Sequence, residues 1–377
     1  MPLDLRSSAA RLLIVGFHGR RLEAELESLL ERGVGGVIIF SRNVGAPAEV
    51  AELTSAIKRR AARPLVVSVD QEGGNVLRLR EGFTPIPAMR TVGAADDGEL
   101  SFALGRLMGR ELRAVGFDLD YAPVLDVDTN PQNPVIGPRS FGRTPDVVSW
   151  HGLALMTGLG SSGVAACGKH FPGHGDTLQD SHLDLPRLEH PLERLESVEL
   201  VPFRAAVKAA IPALMTAHVI FRELDPEWPA TMSSLIVRAI LRNQLGYEGL
   251  VVSDDLEMKA IADHYSLEDV LVRGLNAGVD AFLCCHSAEK MHSAIDTIAS
   301  AVAKGLVPAY RFEQAVERMT NFAMRWAAPP IDAFDGSLLA SPEHLALVEQ
   351  VVSRAGGPPS VPPPDPTVML DRKLPSD

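Results

Sequence analysis

Short apolar runs alternate with longer segments of helical periodicity along most of the chain. Near-continuous hydrophobic runs of this length are typical of parallel strands that helices cover on the outside. The runs are residues 12–15, 37–40, 65–69, 117–121, 164–167, 213–218, 250–253 and 279–285. The segments with helical spacing are residues 23–31, 47–61, 99–115, 147–161, 195–210, 234–245, 266–276 and 288–304.

Eight strand–helix repeats predict an α/β fold, namely a single (β/α)8 barrel of the TIM type. An open, doubly wound sheet is the competing architecture. It is disfavoured because polar residues follow most of the strands, as a ring of loops at a barrel mouth requires. The length of 377 residues fits one barrel with loop insertions and a tail.

The pattern changes after about residue 327. Two alanines and two prolines, Ala327-Ala-Pro-Pro330, end the last helix, and Ser341-Pro342 begins one further helical segment. Residues 354–366 are rich in proline and glycine. We therefore expect a barrel at residues 1–330, a helical extension at 331–354 and a flexible Pro/Gly-rich tail at 355–377.

Composition narrows the range of partners and compartments. The formal net charge of −12 gives no support to binding of nucleic acid or of an anionic membrane surface. No apolar run approaches the roughly 18 residues of a membrane span, and the N-terminus lacks the basic and apolar pattern of a signal peptide. The three cysteines lie inside apolar runs, as reduced, buried thiols do. We expect a cytoplasmic protein.

Titratable side chains gather directly after the predicted strands. They are Asp70, Glu72 and Arg78 after the third run, Asp126, Asp128 and Arg139 after the fourth, residues 169–182 after the fifth, His218 after the sixth, and Asp254 and Asp255 after the seventh. Barrel strands end on one face, so these groups share the mouth of the barrel. Carboxylates accept protons from hydroxyl groups and cations donate to oxygens, which suits a sugar substrate. The pattern predicts an enzyme.

The most informative stretch is Lys169-His-Phe-Pro-Gly-His-Gly-Asp-Thr-Leu-Gln-Asp-Ser-His182. Its proline and glycines predict a loop rather than a regular helix or strand. Asp180 and His182 are two residues apart, so in an extended loop they share a face and could act as an acid/base pair near neutral pH. A purely structural hydrogen bond between them is the alternative interpretation.

A metal site is a second possibility for this stretch. His170 and His174 have the spacing of a helical zinc pair, but the Pro172-Gly173 between them rules out the helix that gives this spacing its meaning. A site that includes Asp176 or Asp180 remains conceivable.

Two adjacent carboxylates, Asp254 and Asp255, stand where the seventh run ends. A carboxylate that enters the barrel mouth suits a nucleophile, whereas an aspartate before a helix often serves as its N-cap. Both interpretations can hold together, with one residue for each role.

These segments together resemble glycoside hydrolase family 3, and within it the bacterial β-N-acetylhexosaminidases. The matching pieces are Gly36-Val-Ile-Ile-Phe-Ser-Arg-Asn43, Asp70-Gln-Glu-Gly-Gly74, Asn133-Pro-Val-Ile-Gly-Pro-Arg-Ser-Phe-Gly142, Lys169-His-Phe-Pro-Gly-His-Gly175 with Asp180-Ser-His182, and Ser253-Asp-Asp-Leu-Glu-Met258. Two features depart from the family pattern: Asn75 stands where arginine is common, and the proline-rich tail is not a family feature.

The resemblance implies a retaining exo-β-N-acetylglucosaminidase that needs no metal or other cofactor. It implies that Asp254 is the nucleophile and that His182, paired with Asp180, is the acid/base. It also implies that N-acetylglucosamine is bound by Asp70, Arg78, Arg139, Lys169 and His170. The expected substrate is a small carbohydrate, a muropeptide or glycoside ending in N-acetylglucosamine, in cytoplasmic peptidoglycan recycling.

Other functions remain open at this stage. Phosphate could replace water as the acceptor, which would make the chain a phosphorylase of the same glycosides. A metal-dependent hydrolase could use His170, His174 and His182, and a barrel could also bind sugar without catalysis. A β-glucosidase is disfavoured because that branch of the family usually takes its acid from a second domain. The oligomeric state is not indicated.

Overall fold

A closed barrel of eight parallel strands forms the centre of the molecule. The computed structural model describes residues 4–178 and 185–357. Each strand pairs with its neighbours in the chain, and β8 pairs with β1 to close the ring. The strands are β1 Leu13–Val15, β2 Gly36–Ile39, β3 Val66–Val69, β4 Leu119–Asp120, β5 Ala165–Phe171, β6 Ala213–Thr216, β7 Leu250–Asp255 and β8 Ala281–Cys284. The predicted (β/α)8 fold is confirmed.

Helices surround the barrel. They are α1 Leu5–Ala10, α2 Ala24–Arg32, α3 Pro47–Arg60, α4 Met89–Ala94, α5 Gly98–Ala114, α6 Pro145–Ser161, α7 Leu192–Ser197, α8 Leu200–Lys208, α9 Lys259–Ala262, α10 Leu267–Ala277, α11 Ala288–Ala303, α12 Ala309–Trp326 and α13 Pro342–Arg354. A helix with π-type hydrogen bonding spans Leu235–Gln244. Gln71–Gly73 and Val76–Leu77 form a short antiparallel hairpin after β3.

One predicted helix is divided in the structure. The segment 195–210 was expected to be a single helix, but α7 ends at Ser197 and α8 begins at Leu200. Pro202 lies in the first turn of α8, where its missing N–H costs no hydrogen bond; in the interior of a longer helix it would remove one. The sequence-based prediction was therefore wrong at this position.

Two strands extend further than their apolar runs. β5 continues through Lys169 and His170 to Phe171, and its register against β6 shifts between Gly168 and Phe171. The carbonyl of Lys169 still accepts the N–H of Leu125 at 2.7 Å. Pairing with neighbouring strands thus holds polar residues in the sheet, so the expectation of a loop from Lys169 onward was wrong for its first three residues. β7 likewise continues to Asp255 with a register shift after Val252.

Buried ion clusters tie the helices to the N-terminal ends of two strands. Asp280, directly before β8, contacts the guanidinium groups of Arg242, Arg311 at 2.9 Å and Arg318 at 3.2 Å, and accepts the N–H of Val251 at 3.0 Å. We call this group the Asp280 cluster. Its carboxylate is fully buried and contacts cations from two helices, Leu235–Gln244 and α12, so the cluster joins the outer helices to the barrel.

A matching group stands before β4. Asp118 contacts Lys58 at 2.8 Å and Arg113 at 2.6 Å, and it accepts the N–H of Val67 at 2.9 Å. Like Asp280, it has no exposed surface.

The helix after the barrel packs against α5. Glu111 of α5 accepts hydrogen bonds from the Nδ1 of His344 and the N–H of Ala340, both at 2.8 Å. The division at residues 330 and 354 stays a prediction. Within the ranges that the structure describes, no helix is both long and apolar enough to cross a membrane.

Candidate active site

A cavity opens at the C-terminal ends of the strands and gathers most of the titratable groups singled out in the sequence. It encloses about 860 Å³ of space between atoms, including solvent at its mouth. Its polar lining consists of Asp70, Glu72, Arg78, Arg139, Lys169, His170, His174, Asp254, Asp255 and His286.

Four charged side chains form a preassembled network on one wall. Arg139 donates two hydrogen bonds of 2.8 Å each to the carboxylate of Glu72. Lys169 Nζ lies 2.5 Å from Glu72 and 2.7 Å from Asp70. Burial alone would raise the pKa of Glu72, but Arg139 and Lys169 hold it well below the ordinary value. All four groups are therefore fixed before any substrate arrives, because each bond restricts its neighbour.

The ammonium group of Lys169 is also held in its charged form. Burial would lower the pKa of its ammonium group, but Asp70 and Glu72 raise it above the ordinary value. Arg78 adds another cation, with its guanidinium 3.5 Å from Asp70. The side-chain amide of Gln71 accepts the N–H of Arg78 at 3.0 Å and so fixes the turn that carries it.

His170 is oriented by a buried carboxylate. Its Nδ1 lies 2.7 Å from Asp126 Oδ2, so this nitrogen donates and Nε2 is left for other partners. Asp126 also accepts the backbone N–H of His174 at 2.7 Å. Burial alone would raise the pKa of Asp126, but the imidazole of His170 and the amides bring it below the ordinary value. This carboxylate therefore shapes the turn after β5.

His174 faces a different partner. Its Nδ1 lies 2.8 Å from Thr177 Oγ1, and burial, reinforced by His170, lowers its pKa to about 4. Gly175 follows against the carbonyl of Val127, where a Cβ would clash. Among residues 4–178 and 185–357, no group of three or more His, Cys, Asp or Glu side chains could hold a metal ion. His182 lies outside these ranges.

The two adjacent aspartates have separate environments. The Asp254 carboxylate accepts the N–H of Asp255 at 2.8 Å. Burial alone would raise its pKa, but His170, His218 and this N–H lower it below the ordinary value. Asp255 instead lies 3.3 Å from His286 Nε2 and accepts the N–H of Glu257 at 3.2 Å. The Asp254 carboxylate thus lines the cavity in its ionised form, while the Asp255 carboxylate contacts His286 and the backbone after β7.

Comparison with known proteins assigns the family. The profile of the glycosyl hydrolase family 3 N terminal domain matches residues 4–322. The chain belongs to glycosyl hydrolase family 3.

Similar proteins indicate which activity the chain has within the family. The β-hexosaminidase of Alkalilimnicola ehrlichii is 44% identical over 284 residues, which cover 74% of this chain and 81% of that protein. A family 3 β-N-acetylglucosaminidase from Paenibacillus sp. FPU-7 has a TM-score of 0.91 at 40% identity, covering 94% of this chain and 69% of that one. NagZ from Neisseria gonorrhoeae, solved with N-trifluoroacetyl-D-glucosamine, has a TM-score of 0.75 at 32% identity, covering 91% and 98%. This family 3 chain is a β-hexosaminidase, a glycoside hydrolase.

The structure brings together six of the eight site residues expected from the sequence of this family 3 enzyme. They are Asp70, Arg78, Arg139, Lys169, His170 and Asp254, all of which line the cavity. The other two, Asp180 and His182, lie outside the described residues. Just before that segment, Asp176 lies 2.6 Å from His190, which follows it.

Sequence analysis missed the structural roles of several neighbours in this family 3 site. Glu72 lies in the motif Asp70-Gln-Glu-Gly-Gly74, but its role in holding the site together is visible only from its contacts with Arg139 and Lys169. His286 directly follows the eighth apolar run, and this position at a strand end could have identified it as a residue of the barrel mouth. The bond from Asp126 to His170 spans 44 residues, and no local pattern announces it.

Acid should destabilise this family 3 enzyme through its neutral, buried histidines. Burial lowers the pKa of both His174 and His218 in the folded protein. The unfolded chain therefore takes up these protons first as the pH falls below about 6.5. We expect the free energy of unfolding to fall from that pH towards pH 4, by at most about 1.4 kcal/mol per pH unit for each group. Urea unfolding at a series of pH values measures this slope.

The contribution of His174 to the pH dependence of the unfolding free energy can be measured with a variant. His174→Gln should show a shallower slope between pH 6.5 and 4 than the wild type, while His18→Gln, at an exposed position, should keep the wild-type slope. Equal slopes for His174→Gln and wild type would contradict the assignment.

Proposed function

We propose that this β-hexosaminidase is a retaining exo-β-N-acetylglucosaminidase that forms a covalent glycosyl-enzyme on Asp254. One observation carries the proposal: an ionised carboxylate lines the cavity from the end of β7, together with the charged network on β5 and on the segments after β3 and β4. A carboxylate in that state can attack an anomeric carbon without first losing a proton.

The reaction proceeds in two displacements. An Asp254 oxygen bonds to the anomeric carbon as the glycosidic C–O bond breaks, and the departing oxygen takes a proton from His182. The same imidazole then removes a proton from water, which attacks the anomeric carbon and releases Asp254. The roles of His182 and its partner Asp180 rest on their position in the family motif.

The charged wall would bind the N-acetylglucosamine unit. Asp70 and the Nε2 of His170 accept hydrogen bonds from sugar hydroxyls, while Arg78, Arg139 and Lys169 donate hydrogen bonds to sugar oxygens. Their mutual bonds fix this arrangement in advance, which reduces the entropy lost on binding. The N-trifluoroacetyl-D-glucosamine held by the gonococcal relative supports an N-acylated glucosamine as the bound unit.

The natural substrate that we propose is a muropeptide, from which the enzyme removes the terminal N-acetylglucosamine during cytoplasmic recycling of peptidoglycan. Its support is the likeness to NagZ of Neisseria gonorrhoeae and to bacterial β-hexosaminidases. We also propose that the chain consists of a catalytic barrel, residues 1–330, and a short helical extension, residues 331–354.

Aryl glycosides test the activity directly. We expect fluorophore release from 4-methylumbelliferyl N-acetyl-β-glucosaminide at a kcat/KM at least about 10²-fold above that for the β-glucoside, because buried groups aligned with a polar substituent are left unpaired without it. Turnover should persist in EDTA, and the first sugar product seen by proton NMR should be the β anomer.

Three outcomes would contradict the proposal. Loss of turnover in EDTA favours a metal-dependent hydrolase, and an initial α product in water excludes retention. Formation of N-acetylglucosamine 1-phosphate in preference to the free sugar, in phosphate buffer, identifies a phosphorylase.

A further inference from the structure

A fully buried histidine lies beside the end of β7 that carries the proposed nucleophile, outside the cavity lining. His218 follows β6 and is 1% exposed. Its Nε2 lies 3.1 Å from the backbone carbonyl of Asp255, and its Nδ1 lies 2.9 Å from Thr231 Oγ1. No step of the reaction described above uses this residue, although it contacts the residue next to Asp254.

The partners of His218 assign its tautomer. A carbonyl oxygen only accepts hydrogen bonds, so Nε2 must carry the proton. Burial lowers the pKa of this imidazole, which keeps it neutral at physiological pH. Nδ1 therefore accepts a hydrogen bond from the Thr231 hydroxyl, whose oxygen also lies 2.9 Å from Thr216 Oγ1 in β6 and 3.2 Å from the carbonyl oxygen of Ala217.

The bonded carbonyl lies at the irregular end of β7. The register of β7 against β8 shifts between Val252 and Asp255, and its regular pairing with β6 ends at Ser253, so Asp254 itself has no partner in the register of either neighbouring strand. Asp254 is the residue inside this irregular segment whose carboxylate faces the cavity. A hydrogen bond to the Asp255 carbonyl therefore restrains the direction in which the Asp254 carboxylate points.

We propose that His218 is a positioning residue for the nucleophile: as a neutral Nε2–H donor backed by Thr231, it locks the end of β7 so that Asp254 faces the anomeric carbon. This inference rests on the proposed role of Asp254. It assigns to His218 no contact with the substrate and no proton transfer.

Paired variants test the bonds rather than the bulk of the side chain. His218→Leu removes both hydrogen bonds and keeps an apolar volume, whereas the amide of His218→Gln can donate to the Asp255 carbonyl and accept from Thr231. A displacement of the nucleophile by about 1 Å costs roughly 10²-fold in rate. We expect His218→Leu to lower kcat/KM for aryl N-acetylglucosaminides by about that factor and His218→Gln to recover all but about tenfold.

Inhibition by N-acetylglucosamine supplies the second measurement. The wall that binds the sugar comes from other strands, so its Ki should stay within about threefold of wild type in both variants, as should melting temperatures within a few degrees. Thr231→Val, which removes only the backing hydroxyl, should lower kcat/KM by less than His218→Leu. If the leucine variant does not fold, a folded Thr231→Val variant with wild-type kcat/KM overturns the proposal.

The results separate the two proposals. If Asp254→Asn keeps wild-type activity, the proposed nucleophile is wrong. If Asp254→Asn is inactive but His218→Leu keeps kcat/KM within threefold, or folded His218→Gln is as impaired as His218→Leu, only the positioning role is wrong. A Ki that rises in step with the loss of kcat/KM also overturns it, because the whole site is then disturbed.

Discussion

Replacing Asp254 with alanine is expected to lower kcat/KM for aryl N-acetylglucosaminides at least about 10³-fold, which corresponds to about 4 kcal/mol of lost transition-state stabilisation. The physical reason is the loss of the only group proposed to bond to the anomeric carbon. The Asp254 carboxylate is ionised and held by the N–H of Asp255, whereas a neutral water molecule in its place is a much weaker nucleophile.

Rescue of the Asp254→Ala variant by azide tests the role of Asp254 most directly. The space left by the missing carboxylate admits a small anion, which can attack the same face of the sugar. We expect azide to restore turnover of Asp254→Ala and to yield the α-glycosyl azide, identified by its proton NMR coupling. A β-glycosyl azide, or no response to azide in a variant that is folded and binds N-acetylglucosamine, would argue against nucleophilic attack by Asp254.

The neighbouring carboxylate is the matched control. Asp255→Asn removes one negative charge one residue away, but this side chain contacts His286 and the N–H of Glu257 rather than the reacting centre. Its kcat/KM should fall by much less than that of Asp254→Ala. If the two variants are equally impaired, the separate roles given to these aspartates are wrong.

Replacing Asp280 with alanine is expected to lower the free energy of unfolding by about 3–5 kcal/mol. The change leaves Arg242, Arg311 and Arg318 around an apolar side chain, and the N–H of Val251 loses its acceptor. Buried cations without a counterion cannot recover their hydration, so the penalty is large. Chemical denaturation followed by circular dichroism measures the loss.

An exposed ion pair provides the comparison. Asp296 lies 2.6 Å from Arg32, but half of its side chain is exposed to solvent. Asp296→Ala should therefore cost less than about 1 kcal/mol. Equal losses for Asp280→Ala and Asp296→Ala would show that burial of the Asp280 cluster does not matter for stability.

The fold was predictable because apolar runs report burial on both faces of a parallel strand. All eight runs coincide with barrel strands. Their ends were less predictable, since Lys169, His170 and Asp254 are polar residues that nevertheless lie in strands whose neighbours are distant in the sequence. Pro202 was visible in the sequence, yet its effect depends on whether it falls in the first turn or the middle of a helix.

The residues of the candidate site were predictable for a related reason. Asp70, Lys169 and Asp254 follow apolar runs, and the barrel topology converts that common position into proximity. The bonds among them were not predictable, because the partner of Glu72 is 67 residues away and that of Asp126 is 44 residues away. Those bonds depend on side-chain geometry after the barrel has closed.

The Asp118 and Asp280 groups lie at the opposite end of the strands from the cavity, and this separation has a consequence for protein engineering. Variation confined to the loops after β1, β2 and β8 would reshape the mouth without touching the ions that hold the helices to the barrel. Libraries built there should keep a high fraction of folded members even when several positions change at once. Selection for new leaving groups can then proceed without first stabilising the scaffold.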